Sequence, residues 1–332
     1  MRAPRLLAHR GVDETEAVSV TSYILGRALT LLPVMLVVAV VVFLIARFTP
    51  GDPIRVLLGE DARPEQVQAL RQLHGLDAPL PVQFGLWISR ALRGDLGRSL
   101  YNRLPVTRMI WQHVGPTVML SLLALAVALA IGIPIGIASA VYRNSWLDQA
   151  SLTLVMLGAA VPSFWLGLTL IVVFAVNLGW LPSSGFRPPD EGLWRSLRYL
   201  MLPALALGVP NSALIIRFVR GSLLDVIATD YVRTARAKGL AERAVIFRHA
   251  LRNALVPILT VVGLTFAALM GGAVVTETVF SIPGIGQLVV QSVLRRDYPV
   301  IQGVTLIVAA SYVLINLLVD VLYLVVDPRV KY

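Results

Sequence analysis

Long apolar stretches alternate with short polar segments along most of the chain. A helix needs roughly 20 apolar residues to cross about 30 Å of hydrocarbon. Stretches that lack Asp, Glu, Lys and Arg and that meet or approach this length are Ala28–Ala46, Gly115–Val141, Ala150–Val176, Tyr199–Ile216, Ala254–Thr276 and Tyr298–Val319. The pattern predicts an all-α membrane protein with six transmembrane helices. The fourth helix is expected to be kinked, because Pro203, Pro210 and Asn211 interrupt it.

The composition agrees with a membrane protein and narrows its chemistry. Of 332 residues, 57% are hydrophobic and 14% are charged, which leaves more apolar surface than a soluble protein could cover. The chain contains no cysteine, so disulfides, thiolate metal sites and haem attachment are excluded. The net charge is +10, but no soluble domain is large enough to carry the basic face that nucleic-acid binding requires. We therefore expect no nucleic-acid partner.

The first apolar stretch follows several arginines and superficially looks like a secretory signal. Its apolar core is too long for a signal, and "RFTPGDP" follows it instead of a small-residue cleavage site. We interpret residues 23–47 as a retained transmembrane helix, preceded by an N-terminal cytoplasmic extension, 1–22.

The distribution of Lys and Arg predicts the orientation in the membrane. With the N-terminus inside, the inner segments are 1–27, 142–149, 217–253 and 320–332, and the short outer loops are 177–198 and 277–297. The inner segments carry 15 Lys and Arg residues, whereas the short outer loops carry five. The outer loop 48–114 holds eight more, but loops that long are discounted by the positive-inside rule. We expect a multi-pass protein of the bacterial cytoplasmic (inner) membrane with both termini cytoplasmic, including the tail 327–332.

The long outer loop, 48–114, contains two helical patterns. In "RPEQVQALRQLHG", Pro64 stands at the first helical position and Gly75 just past the end. In "LPVTRMIWQHVGP", an apolar stripe at helical spacing predicts a helix that lies on the membrane before the second span. For both helices we favour packing within the loop over contact with substrate.

Catalytic and nucleotide-binding motifs are excluded by simple inspection. Lys238 and Lys331 are the only lysines, and neither forms the Gly-Lys-Ser/Thr of a P-loop. Neither lysine has a Ser three residues before it, so a Ser-x-x-Lys nucleophile pair is absent from the sequence. The four histidines are scattered over different loops without metal-ligand spacing. We therefore predict no catalytic, cofactor or metal site in this chain.

The apolar stretches also lack the Asp, Glu, His and Arg on which proton and sodium pathways usually depend. Glu277 and Asp320 directly follow predicted spans. Unwound backbone or hydroxyl groups could still hold sodium, so an ion-coupled secondary carrier stays open, as does a non-transporting membrane scaffold. The sequence does not identify the substrate pathway. The small and polar residues Asn211, Ser212, Gly263, Gly271 and Gly272 are assigned to close helix packing rather than to ligand binding.

The densest charge lies in one interior loop, "DYVRTARAKGLAERAVIFRHALRNA", with seven basic residues in 25 positions. Gly239 is expected to end one short helix, and a second begins near Glu242. The first helix carries an apolar seam at helical spacing, formed by Leu224, Ile227, Ala228, Tyr231 and Ala235. Two interpretations are equally favoured by spacing alone: a knob that enters a groove on another protein, or a solvated loop whose charge only sets topology.

The loop sequence "YVRTARAKGL…FRHALRNALVP" resembles the cytoplasmic loop of binding-protein-dependent ABC importer permeases, in the branch that handles dipeptides, oligopeptides, glutathione and nickel. In the wider family this loop reads Glu-Ala-Ala, three residues, then Gly. Here Arg233 and Thr234 stand at the Glu and first Ala positions, and Ala235 at the second, counted from Gly239. Arg252 replaces the Pro of the later Ile-x-Leu-Pro. These departures are similar to the peptide branch, and they remove the usual glutamate contact.

Further motifs of the same branch occur in order along about residues 23–332. They are "FTPGDP", "HGLDAPLPVQFGLWISRALRGDLGRSL", "ETVFSIPGIGQLVVQSVLRRDYPVIQG" and "LINLLVDVLYLVVDPRVKY". The resemblance implies the ABC importer permease fold of a first permease chain. In this fold an extracytoplasmic loop region, 48–114, precedes a core permease domain, 115–326, with five transmembrane helices and a coupling loop, 217–253.

The resemblance also implies partners and a role for the basic loop. The partners are a second homologous permease chain, two cytoplasmic ATP-binding subunits that bind the ATP and Mg, an extracytoplasmic solute-binding protein and the lipid membrane. We expect 48–114 and 277–297 to face the binding protein. The implied solutes are dipeptides or short oligopeptides, with nickel chelates, glutathione or another small solute as alternatives. The residues expected to contact an ATPase subunit are Arg233, Thr234, Ala235, Arg236, Lys238, Gly239, Leu240, Ala241, Glu242 and Arg243.

Overall fold

The computed structural model describes residues 20–48, 58, 63–73 and 77–326. Within these residues the chain is helical, and no strand longer than an isolated bridge forms. The helices of eight or more residues are α1 (Val20–Phe48), α2 (Pro64–Leu73), α3 (Leu80–Leu92), α4 (Val106–Val141), α5 (Trp146–Ala160), α6 (Ser163–Asn177), α7 (Leu193–Ile227), α8 (Asp230–Ala237), α9 (Glu242–Val279), α10 (Ile285–Leu294) and α11 (Tyr298–Val326). The all-α prediction is therefore confirmed. Residues 1–19 of the predicted extension, 1–22, and the tail 327–332 lie outside the described residues, whereas residues 20–22 belong to α1.

Four described helices are long and apolar enough to cross a membrane: α4, α7, α9 and the Tyr298–Leu322 part of α11. The pair α5 and α6 would add a fifth crossing if its two bent halves count as one span. Helix α1 contains the apolar stretch Leu29–Ile45. A multi-pass membrane protein is thus confirmed, while the number of six spans stays a prediction.

The third predicted span, Ala150–Val176, is wrong as a single continuous helix. The chain bends by 95° between α5 and α6. Val161 adopts an extended conformation with ψ near 118°, and Pro162 follows it. The proline ring disfavours helical geometry in the residue before it and removes a backbone donor, so the helix ends there. By contrast, α7 continues through Pro203 and Pro210.

Helices α4 and α7 form the centre of the fold because glycines let their backbones approach closely. A Cβ atom on Gly132 would lie 2.6 Å from Ile215, and one on Gly136 would lie 2.7 Å from Val219. The sequence "GIPIG" is therefore a small-xxx-small seam of the kind that packs membrane helices. On α7, Gly208 plays the same part against the backbone of α4.

The packing role predicted for small and polar residues is partly confirmed. Gly263 abuts Val319 of α11 so closely that an added Cβ would lie 2.1 Å from it, and Ser212 is buried in α7. The prediction of close helix packing is wrong for Gly271 and Gly272, because both are exposed and no heavy atom lies within 4 Å of an added Cβ at either position.

The predicted amphipathic helix of the long outer loop is present as α2, which begins at Pro64; its expected end at Gly75 lies outside the described residues. The separate helix expected on the membrane surface before the second span is wrong. Residues 106–114 are instead the first turns of α4. Val106 and Ile110 are buried against α10 and α11, so the apolar stripe is covered by protein rather than by lipid.

Candidate coupling site

The basic loop folds into two helical segments joined by a tight turn at Gly239. Helix α8 ends at Ala237, and Gly239 follows with φ of +76°. Its amide donates to the carbonyl of Arg236 at 2.9 Å, and the amide of Leu240 donates to the carbonyl of Ala235 at 3.4 Å. This pair of bonds is the Schellman arrangement, which needs a left-handed residue after the helix and therefore favours glycine. The predicted helix end at Gly239 and the new start at Glu242 are both confirmed.

A small apolar core holds the two segments together. Val232 and Val245 are fully buried and Ala235 nearly so, and Val226 at the end of α7 packs against them. The predicted seam was only partly correct, because Tyr231 is 41% exposed while its neighbour Val232 points inward. We refer to residues 230–243 as the coupling knob.

Tyr231 instead ties the coupling knob to the following helix through polar contacts. Its hydroxyl accepts a hydrogen bond from Asn253 Nδ2 at 2.6 Å and donates to the carbonyl of His249 at 3.3 Å. Both partners lie on α9, one turn apart. The coupling knob is therefore joined to α7 on one side and to α9 on the other, and Tyr231 fixes it against α9.

The charges of the coupling knob are partly paired within the chain. Arg236 binds Glu242 across the Gly239 turn, with N–O distances of 2.6 and 3.2 Å, and this bonding lowers the pKa of the Glu242 carboxyl. Arg233 pairs with Asp230 at 3.1 Å. In the described part of the chain, Lys238 and Arg243 form no ion pair. Arg236 is thus already engaged within the chain, whereas Lys238 and Arg243 are exposed.

All ten residues predicted from the resemblance lie in the coupling knob. Nine of them are exposed, and Ala235 is buried in the small core. Leu240 is the exposed apolar side chain at the turn, with 42% of its surface accessible. The knob therefore presents one apolar tip flanked by the cations Lys238 and Arg243.

A buried ion pair that the sequence did not reveal lies behind the coupling knob. The carboxylate of Asp148 accepts two bonds from the guanidinium of Arg220, at 2.7 and 2.9 Å. It also accepts from the Ser139 hydroxyl at 2.5 Å and from the Asn144 amide at 2.9 Å. Asp148 is 2% exposed. The pair holds the α4–α5 turn against α7, at a position less than two helical turns before the end of α7. In the sequence, both residues appear only as single charges near the ends of apolar stretches.

A cavity of about 550 Å³ opens beside the same end of α7. One stripe of α7 lines it, from Arg217 to Asp225, together with Pro257 of α9. The opposite stripe of α7, with Val219 and Leu223, is buried in the core. Nothing in the sequence pattern distinguishes these two stripes.

A second buried carboxylate organises the other end of α9. Glu277 is fully buried and accepts from the Thr117 hydroxyl at 2.6 Å and from the amide of Gln287 at 3.0 Å. Gln287 is in the first turn of α10, so Glu277 caps that helix in place of the N-cap residue, Gly284. An added Cβ on Gly284 would lie 2.2 Å from the Glu277 carboxyl group, so this close approach requires glycine.

Comparison with known proteins identifies the family. The model of the "binding-protein-dependent transport system inner membrane component" family matches residues 132–332, and the model of its N-terminal part matches residues 20–121. The chain belongs to this family. It is a membrane-spanning permease subunit of the ABC importer type, as the resemblance of its motifs predicted, and membership implies an ATPase partner and a membrane.

Relatives of this permease are matched over nearly their whole length. A probable peptide ABC transporter permease of Sinorhizobium fredii is 44% identical over 310 residues, which cover 93% of this chain and 99% of the relative. A putative peptide transport system permease of Brucella abortus is also 44% identical, over 94% of this chain and 99% of its own. A glutathione transport system permease of Salmonella typhi is 44% identical with the same coverage.

Solved structures share the fold of this permease. The inward-facing MetNI methionine ABC transporter has a chain that aligns with a TM-score of 0.56 at 21% identity. The alignment covers 66% of this permease and 96% of that chain. At this identity the likeness establishes the architecture and nothing about the substrate.

Proposed function

We propose that this permease forms half of the translocation pathway of an ATP-driven, binding-protein-dependent importer of dipeptides or short oligopeptides. A second homologous permease chain supplies the other half, and two cytoplasmic ATP-binding subunits bind and hydrolyse the ATP. An extracytoplasmic solute-binding protein delivers the solute. The peptide class is supported by the names of relatives at 44% identity. Glutathione is the second candidate, because relatives at the same identity are named for it.

The geometry of the coupling knob is the observation that carries the coupling role. The knob is held by its own apolar core and by the Schellman turn, so it can transmit force as one body. It presents Leu240 beside Lys238 and Arg243, two cations without an ion pair among the described residues, and this combination suits a groove with an acidic rim. A flexible loop would have neither the apolar core nor the Schellman turn. A solvated loop whose charge only sets the membrane topology would not need them.

The connections of the coupling knob explain how movement reaches the membrane spans. It joins α7 directly, and α9 stays helical for 38 residues from Glu242, with a π-helical segment at Val245–Ala250. At 1.5 Å per residue this helix is about 57 Å long, enough to cross the membrane. Displacement of the knob by closing ATPase subunits would therefore tilt two spans together, which is how a rigid lever switches access.

The same function requires the coupling knob and both termini to be cytoplasmic. The excess of Lys and Arg on the predicted inner segments supports this orientation. The chain itself is then non-catalytic. The cavity between Arg217 and Pro257 lies near the coupling knob and is the inner end of the proposed pathway.

A substitution series at Gly239 tests the coupling role. Asn tolerates positive φ, so Gly239→Asn should retain most uptake, whereas Gly239→Val should lose it because a β-branched residue resists the left-handed conformation. No heavy atom lies within 4 Å of an added Cβ at Gly239, so the effect should come from the backbone and leave membrane abundance unchanged. Uptake of a labelled dipeptide and binding-protein-stimulated ATPase activity are measured in proteoliposomes.

The matched control is Gly26→Ala on α1, which also has open space around the added Cβ but no positive φ, and which does not line the cavity. It should transport like the original protein. Wild-type uptake and stimulated ATPase activity in Gly239→Val would show that the loop is only a topological anchor. Uptake by the permease alone under an ion gradient would instead indicate a secondary carrier, and competition by unlabelled glutathione against the dipeptide would decide between the two solute classes.

A further inference from the structure

Two segments that are distant in sequence form one ordered surface at the end of the molecule opposite the coupling knob. Asp297, which precedes α11, is 3% exposed and accepts from the Ser99 hydroxyl and from the Leu100 amide, the latter at 3.0 Å. Segment 97–106 closes on itself, because the Val106 amide donates to the Gly97 carbonyl at 3.0 Å. The turn after α10 and the segment before α4 are thus fixed against each other.

Exposed arginines crowd this surface. Arg98 and Arg103 lie at the base and turn of the closed segment, and the Arg98 guanidinium donates to the Arg103 carbonyl at 3.4 Å. Arg295 lies over the ring of Tyr101 at 4.2 Å, and Arg296 is its neighbour. We call Arg98, Arg103, Arg295 and Arg296 the outer arginine patch.

The outer arginine patch is not neutralised by exposed carboxylates of its own. All four side chains belong to exposed residues, and none forms an ion pair in the part of the chain that the structure describes. The buried Asp297 carboxylate beneath them offsets one charge of the four. Asp95, the nearest exposed acid along the chain, is engaged by the Gly97 amide at 3.0 Å.

Two of the four arginines occupy left-handed backbone positions, which usually favour glycine. Arg103 and Arg296 have φ values of 60° and 54°, two of only four non-glycine residues with positive φ among those described. Glycine or asparagine would fit these positions with less strain, and strained non-glycine residues concentrate at functional surfaces. In the proposed orientation the patch is also extracytoplasmic, where the positive-inside bias gives no reason for arginines.

We propose that the outer arginine patch docks an acidic face of the extracytoplasmic solute-binding protein. The proposal rests on the proposed function and adds the chemistry and the residues of the contact. Arginine is enriched in protein interfaces because its planar guanidinium binds carboxylates with two parallel bonds. The patch is presented on hydrogen-bonded turns, so little loop freedom is lost on docking. Lipid headgroups would attract the same charge but have no need of a fixed arrangement.

The test uses the complete importer in nanodiscs and the purified binding protein that stimulates its ATPase activity. In the double variant Arg103→Asn/Arg296→Asn, asparagine keeps the left-handed backbone while two charges are lost. The association rate should fall about tenfold at low salt, and its dependence on ionic strength should become shallower. The matched control, Arg103→Lys/Arg296→Lys, keeps the charges and should retain most of the rate.

Copurification of the ATPase subunits should be normal in both variants, which verifies folding. Unchanged docking of the Asn variant, while wild-type import continues, would overturn the proposal and leave the proposed function intact. If docking is unchanged but ATPase activity becomes sensitive to the phosphatidylglycerol content of the nanodisc, the patch binds lipid and the proposal is equally overturned. Failure of the wild-type importer to bind any solute-binding protein would overturn both.

Discussion

The buried pair of Asp148 and Arg220 permits a quantitative prediction for Asp148→Asn. The carboxylate accepts four hydrogen bonds, two of them from the guanidinium. The amide that replaces it can accept through only one oxygen, and its NH₂ group would face the donors of Arg220 or Asn144. Breaking one partner of a buried pair costs about 3–5 kcal/mol. Because the Arg220 side chain is 21% exposed, we take the lower end, about 3 kcal/mol.

The comparison variant is Glu242→Gln, which breaks the pair of Arg236 and Glu242. Those side chains are 40% and 53% exposed, so the cost should be below about 1 kcal/mol. Thermal stability of the detergent-solubilised permease is measured as the midpoint for loss of the monodisperse peak in size-exclusion chromatography. We expect Asp148→Asn to lower the midpoint by roughly 5 °C or more, and Glu242→Gln by about 1–2 °C.

A double variant separates the ion pair from local packing. Asp148→Asn/Arg220→Gln removes both charges, so no guanidinium is left unpaired, and part of the lost stability should return. Equal midpoints for Asp148→Asn and the original protein would refute the reasoning, because a pair that contributes nothing cannot hold the α4–α5 turn against α7. Additive losses in the double variant would show that the two residues act independently.

Two further predictions concern topology and packing. A membrane-impermeant thiol reagent should label Ser184→Cys from outside in intact cells but not Ala241→Cys, and the reverse pattern would contradict a cytoplasmic coupling knob. Gly136→Ala should destabilise the permease by about 1–3 kcal/mol, because its Cβ would lie 2.7 Å from Val219. Gly271→Ala, with open space around the added Cβ, should leave the thermal midpoint within about 1 °C, and equal losses for both glycines would contradict the packing argument.

The sequence determined the features that depend on short-range physics. Apolar stretches must be buried in lipid or protein wherever they lie, so the all-helical, multi-pass class followed directly. Pro64 and Gly239 fix backbone angles by local sterics, and both ended or began helices where expected. The two helical segments on either side of Gly239 could be placed for the same reason, whereas their proposed coupling role rests on the resemblance to the family motifs.

The tertiary structure decided which of these elements meet. Asp148 and Arg220 are 72 residues apart, Glu277 and Thr117 are 160 apart, and Asp297 and Ser99 are 198 apart. In the sequence, each of these charged residues stands alone near the end of a span. Its partner is determined by the packing of the helices and not by the spacing of residues along the chain. The apolar stripe at the start of α4 was predicted to contact lipid, but α10 and α11 cover it. An apolar stripe in the sequence does not indicate whether lipid or another helix will cover it. Local sterics and hydropathy act within a few residues, whereas pairing depends on the positions of whole helices.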